Sequence, residues 1–203
     1  MTSPTRERIL DATLTLVREH GFGGTTVTTI EELAGLSPGS GSFYRHFRSK
    51  DEAVREVYER ELQRAMRSRE TFERGPVDEP LQALTRRLVQ QLDYMEQIRP
   101  LITLLAREHG RFPDLEAKIG RSLLDEAIVE EADHLTRDLN SGLVSEDPSA
   151  LLAVVISALT GYTLAGMFFG RSPGDVTGDR FAAMLARLIA ADPARNPPDA
   201  PAP

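Results

Sequence analysis

Cysteine and tryptophan are absent from this sequence, and aromatic residues make up only 6% of it. Without cysteine there can be no disulfide and no thiolate metal site, which is compatible with a reducing cytoplasm. So few aromatics leave a core to be filled mainly by Leu, Ile, Val and Ala. No stretch alternates polar and apolar residues with period two, so the pattern predicts an all-α protein. The histidines are His20, His46, His109 and His134, and none stands with carboxylates at a ligand spacing such as His-x-x-x-His. No metal or cofactor is therefore expected. There is no Gly-x-Ser-x-Gly elbow and no assignable Ser–His–Asp set, so nothing points to an enzyme. The N-terminus, Met1-Thr2-Ser3-Pro4, leads into an amphipathic pattern with no basic, apolar leader.

What is present is a chain of 203 residues, 40% hydrophobic, enough for one large domain or a small head and a larger body. The net charge of -7 argues against nucleic acid only until it is divided along the chain. Residues 1–50 hold six Lys and Arg against five acids, +1, and the remainder carries 18 against 26, -8. Arg45, Arg48 and Lys50 lie together, and it is local charge that decides phosphate contact.

Ser3-Pro4 is a good helix start, and Ile9, Leu10, Thr13, Leu14 and Val17 make one apolar face up to a stop at Gly21. Thr25 or Thr26 can cap a second helix with Val27, Ile30, Leu33 and Ala34 inward. Ser49-x-x-Glu52 is a capping box opening a long helix to about residue 73. After Gly75-Pro76, helices are predicted to begin at Pro80 and Pro100. Gly110 to Pro113 reads as a loop, and Leu115 to about Leu139 as a long helix. Asp147-Pro148 caps the next, to about Phe169, and Arg180 to Ala191 forms the last. From Asp192 the Pro- and Ala-rich composition predicts disorder.

Residues 5–51 carry the most information. They read as three short helices, the last ending in Phe43-Tyr44-Arg45-His46-Phe47, with Ser49-Lys50-Asp51 opening a fourth. A helix, a Gly-containing turn and a second short helix form the arrangement that lets one helix enter the DNA major groove. Ser40, Gly41 and Ser42 allow close backbone approach but cannot grip guanine with two bonds. Arg45 is the one nearby long donor, suited to a base or a phosphate. Thr26, a hydroxyl beside free N–H groups at a helix N-terminus, suits an anion. Neither Gly21-Phe22-Gly23 nor Gly39-Ser40-Gly41 completes a nucleotide-binding loop after a strand.

The run Ile9-Leu10-Asp11-Ala12, Gly21-Phe22, Thr25-Thr26-Val27, Ile30, Ala34-Gly35-Leu36-Ser37, Phe43-Tyr44-Arg45-His46-Phe47 and Ser49-Lys50 resembles the TetR family of bacterial transcriptional regulators. About the first quarter of the chain carries the likeness. It departs in one respect: the family runs from the turn Ser to the Tyr in five steps, and here Ser37 to Tyr44 takes seven. The resemblance implies a homodimer that binds a near-palindromic operator in double-stranded DNA and is released by a small effector, and the few acids near the candidate contacts named below favour a hydrophobic one. It implies Tyr44, His46 and Lys50 as phosphate contacts beside Thr26, and Phe43 and Phe47 as core. It also implies dimerisation through the helices at about 148–170 and 180–191.

On this reading residues 1–51 are a helix-turn-helix head, 52–191 a helical ligand-binding and dimerisation body, and 192–203 a disordered tail. Residues 151–170 carry no charge and are long enough to span a membrane. Ser157, Thr160, Tyr162, Thr163 and three glycines dilute the apolar character, and a dimer or core helix is the reading preferred. Candidate effector contacts are Tyr94, Met95, Ile98, Leu105, His109, Phe112, His134, Tyr162, Met167 and Phe168, apolar and aromatic side chains with a few polar ones. The alternative is a helical ligand-binding or scaffolding protein whose head no longer binds DNA.

Overall fold

The computed structural model describes residues 3–70, 79–126 and 147–190. Among the described residues the backbone forms eight α-helices and no strand. They are α1 (Pro4–Gly24), α2 (Val27–Leu33), α3 (Lys50–Glu70), α4 (Pro80–Gln97), α5 (Arg99–Arg107), α6 (Pro113–Gly120), α7 (Pro148–Phe169) and α8 (Gly178–Ala190). Short 3-10 turns cover Phe43–Arg45 and Pro173–Asp175, and a π-type turn covers Arg121–Asp125. The all-α expectation holds. The later part of the helix expected to about Leu139, the position of His134 and the tail from Asp192 lie outside the described residues.

The chain forms two compact units, Met1–Ser68 with Ile98–Gly120, and Arg69–Gln97 with Arg121–Pro203. The first therefore contains more than the head expected at 1–51, because α3, α5 and α6 pack with it. Its core joins Ile9, Leu10 and Val17 of α1, Ile30 of α2, Phe43, Phe47, and Val54 and Tyr58 of α3, all fully buried. Phe112 lies edge-on to both Phe22 and Tyr58, with ring centroids 6.1 and 5.8 Å away. Tyr58 donates its hydroxyl to the Leu104 carbonyl at 3.2 Å, and burial pushes its pKa up. Arg60 joins α3 to α1 through Glu7 at 3.2 Å and Asp11 at 2.9 Å. Arg55 and Asp114 pair at 2.7 Å on the surface, and the Arg55 hydrogen bond holds the Asp114 carboxyl below the usual range.

In α2 the buried line differs from the one expected. Leu33 points outward and is 52% exposed, while Glu31 is buried. At 100° per residue, Val27, Ile30, Glu31 and Ala34 share one side of the helix, and Leu33 sits well round from it. The cap is settled as Thr26, whose hydroxyl accepts the Thr29 N–H at 3.1 Å while the Thr29 hydroxyl accepts the Thr26 N–H in return.

Gly21 shapes the end of α1. Its φ of 73° and ψ of 169° belong to a region essentially confined to glycine. A Cβ there would also meet Glu108 Oε1 at 3.2 Å and Arg107 Nε at 3.3 Å. Gly21→Ala is expected to destabilise the protein by about 1–3 kcal/mol. A urea unfolding midpoint checks this, and an unchanged midpoint would show that the kink relaxes freely.

The second unit is built on α4. Leu84, Leu88 and Leu92 of α4 pack with Val155 and Leu159 of α7 and Ala182, Ala186 and Ile189 of α8. Asp147 caps α7 by accepting the Ala150 N–H at 2.9 Å, and Gly170 ends it in the left-handed conformation at φ 69°. Asp147 is the cap that its sequence position predicts.

Candidate nucleic-acid interface

The segment between α2 and α3 is where the structure departs most from expectation. A short recognition helix is what the sequence predicts there, and only the 3-10 turn Phe43–Arg45 is helical. Gly35, Gly39 and Gly41 take φ values of 69°, 73° and 74°, each incompatible with a right-handed helix. Pro38 between the first two removes a further donor. The longer Ser37-to-Tyr44 path is thus taken up as a loop. Ser40 and Ser42 close it on the outer side, with their hydroxyl oxygens 2.7 Å apart.

The aromatic frame behind the loop matches the sequence reading. Phe43 and Phe47 are buried, with ring centroids 5.5 Å apart. Tyr44 lies edge-on to Phe43 at 5.5 Å and stays 61% exposed. Arg45 is exposed, and His46 half-buried. Arg6, which sequence reasoning did not single out, lies 4.1 Å from the Phe47 ring centroid and donates to the His46 carbonyl and to Glu56.

Lys50 has a more structural position than its sequence context suggested. Its Nζ donates to the Phe22 carbonyl at 2.6 Å and the Thr25 carbonyl at 2.5 Å, and sits 3.9 Å from the Phe22 ring centroid. Partial burial lowers its pKa from the usual lysine value. An ammonium has three hydrogens, so one donor remains for a phosphate. Lys50 thereby fixes the α1–α2 turn, and with it the Thr26 cap, at the same edge of the unit. Glu108 braces the turn from the other side, accepting the Phe22 N–H at 2.7 Å.

Ser40, Ser42, Tyr44, Arg45 and His46 thus lie on one short stretch of backbone around the buried Phe43 and Phe47, while Lys50 ties down the α1–α2 turn beside Thr26. The arrangement offers hydroxyls, two cations and a glycine-rich backbone for close approach, which is the chemistry of phosphate and groove contact. A family model described as "Bacterial regulatory proteins, tetR family" matches residues 9–57. The head is that of the TetR family. The TetR-like chain is similar to the HTH-type transcriptional regulator UidR of Escherichia coli (strain K12), 24% identical over 186 residues that span 92% of this chain and 76% of that one. Among solved structures it is similar to the TetR-family regulator PfmR of Thermus thermophilus, with a TM-score of 0.63 and 25% identity over 90% of this chain and 96% of that one. Salmonella enterica GusR shares the fold, with a TM-score of 0.64 and 20% identity over 94% of this chain and 96% of the other. The match covers about the first quarter of the chain and the likeness in fold runs through the rest.

The ten candidate effector contacts are spread over both units. Ile98, Leu105, His109 and Phe112 belong to the first unit, Tyr94, Met95, Tyr162, Met167 and Phe168 to the second, and His134 lies outside the described residues. Phe112 is a core side chain, and His109 is exposed and 3.1 Å from Glu116. Tyr162 donates to the Val176 carbonyl at 2.7 Å and stacks on Phe181 at 4.5 Å, while Phe168 is 63% exposed. Tyr94 and Met95 are buried. In the second unit a groove of about 400 Å³, lined by Leu81, Gln82, Thr85, Arg86, Ala183 and Arg187, contains none of the candidates. Among the described residues no group of three or more His, Cys, Asp or Glu side chains could hold a metal ion.

Proposed function

We propose that this regulator binds a near-palindromic DNA operator as a homodimer, represses from it, and is released by a small hydrophobic effector. The observation that carries the DNA part is the exposure of Tyr44 and Arg45 beside the buried Phe43–Phe47 pair, with Lys50 holding the α1–α2 turn next to Thr26. Residues 1–51 do the reading on this account, and residues 52–191 hold the effector and the dimer contact. A single short reading segment touches too few base pairs to be selective, whereas two set about one helical turn apart are selective.

The dimer surface lies on α7 and α8. Val154, Phe168 and Phe169 of α7 and Met184 and Leu188 of α8 are all more than half exposed. Ser149–Phe169 is long and apolar enough by composition to cross a membrane, but it carries the Leu84–Leu159 core of a helical unit on its other side. A partner copy accounts for its open side and agrees with a cytoplasmic, non-enzymatic regulator. The effector needs only unequal affinity for two spacings of the heads to act as a switch. The candidate contacts Tyr94, Met95, Ile98, Leu105, Tyr162 and Met167 remain the starting set for locating it.

Titration of a random duplex by the full-length protein at low salt tests the reading. Lys50→Ala and Arg45→Ala should each weaken binding about tenfold, and Tyr44→Phe about fivefold, the magnitudes of one charged and one neutral phosphate contact. Unfolding midpoints measured in parallel separate the loss of Lys50 as an internal brace from its loss at the phosphate. No shift of the duplex by the wild type would favour a helical ligand-binding or scaffolding protein that no longer binds DNA.

A further inference from the structure

The Glu31 carboxylate is buried, at 1% exposure, beneath the loop that replaces the recognition helix. It accepts the Gly39 N–H on Oε2 at 2.7 Å and the Phe43 N–H on Oε1 at 2.9 Å. Those two donors bracket Ser40, Gly41 and Ser42. A carboxylate that accepts backbone N–H groups on both oxygens makes bonds shorter and stronger than neutral ones. Otherwise the loop is held lightly. Ser40 N–H reaches the Ser37 carbonyl at 3.2 Å, Ser42 N–H reaches Ser40 Oγ at 3.3 Å, and two of its residues are glycines in left-handed conformations.

A helix entering a groove presents its side chains in a geometry set by its own hydrogen bonds. This loop has no such internal ladder, so its shape comes from an outside group. We propose that Glu31 is the positioning residue for DNA recognition, its carboxylate fixing the form in which Ser40 to Arg45 meet the bases. The proposal rests on the DNA-binding reading above. It also has a consequence that simple destabilisation lacks. Glu31 is a negative charge near the phosphate-contacting edge, so removing it favours random DNA while loosening the loop that discriminates sequence.

The experiment begins with selection of a preferred duplex from a random pool by the full-length protein. Affinities for that duplex and for a scrambled one are then measured for wild type, Glu31→Gln and Glu31→Asp. The amide of Glu31→Gln keeps the size but can accept on only one atom, so one of the two N–H groups is left facing a donor. Its preference for the selected duplex is expected to fall about tenfold or more, the loss of one well-placed base contact per head, with affinity for the scrambled duplex unchanged or higher. Glu31→Asp, shorter by one methylene but charged, is expected to fall between. An unaltered preference in Glu31→Gln, or equal losses on both duplexes, would overturn the proposal. Should that variant not fold, amide hydrogen exchange in the wild type decides. Gly39 and Phe43 amides exchange far more slowly than Gly41 if Glu31 holds the loop, and equally fast if it does not. A wild type that selects no duplex overturns the DNA-binding reading itself, while the exchange result still reports separately on the loop.

Discussion

Phe43→Ala is expected to lower stability by about 3–5 kcal/mol, the range for emptying a fully buried phenylalanine site. Phe43 has no exposed surface, packs on Phe47 and Tyr44, and gives its N–H to Glu31. Its side chain is the floor on which the loop and the Tyr44 ring rest. A domain of ordinary stability, about 5–15 kcal/mol, keeps little after that loss. DNA binding should disappear together with cooperative unfolding of the first unit, followed by a urea or thermal melt. A change under about 1 kcal/mol would mean that the aromatic frame is not the core of the head. Phe43→Leu, which refills most of the volume, should recover more than half of the stability.

The second large effect concerns the dimer. Leu188 is 64% exposed on α8, so Leu188→Glu should leave a lone protomer folded. In a symmetric contact the substitution places two carboxylates against an apolar partner, and burying them unpaired costs several kcal/mol. The variant should sediment as a monomer at micromolar concentration. Because the second head of a dimer binds as an intramolecular event, losing it should weaken binding to a selected palindromic duplex by about 10²- to 10⁴-fold. Binding to a half-site, which one head can occupy, should change far less. A Leu188→Glu protein that stays dimeric would move the interface elsewhere.

Much of this fold was legible in the sequence because its helices announce their ends. Ser3-Pro4 and Asp147-Pro148 both mark boundaries that the structure keeps, since proline suits the first helical turn and Asp147 satisfies a free N–H there. The aromatic pair Phe43 and Phe47 was equally readable from its place in the family pattern. What could not be read was the consequence of two extra residues after Ser37. Local propensity says that Pro38 to Ser42 is a poor helix, but the shape it takes depends on a tertiary contact. That contact had a faint signal, a glutamate at position 31 on the same helical side as Ile30 and Ala34. A helix register that turns Leu33 inward hides Glu31. Lys50 differs in kind from its sequence reading, because its carbonyl partners Phe22 and Thr25 are more than twenty positions away in sequence. The effector contacts were least legible, since a buried tyrosine or methionine in a helical body looks the same whether it faces a ligand or a neighbour.

On the proposed function this head binds the DNA backbone through a small, defined set of cations. Arg45 and Lys50 from two heads make about four ionic contacts, for which log K should fall with log salt at a slope of roughly -4. Affinity for a random duplex measured between about 50 and 200 mM salt should therefore drop about two-hundredfold, with the slope reduced by about two in Arg45→Ala, one contact from each head. Binding that is absent at the lowest salt, or that does not change across this range, would contradict the account.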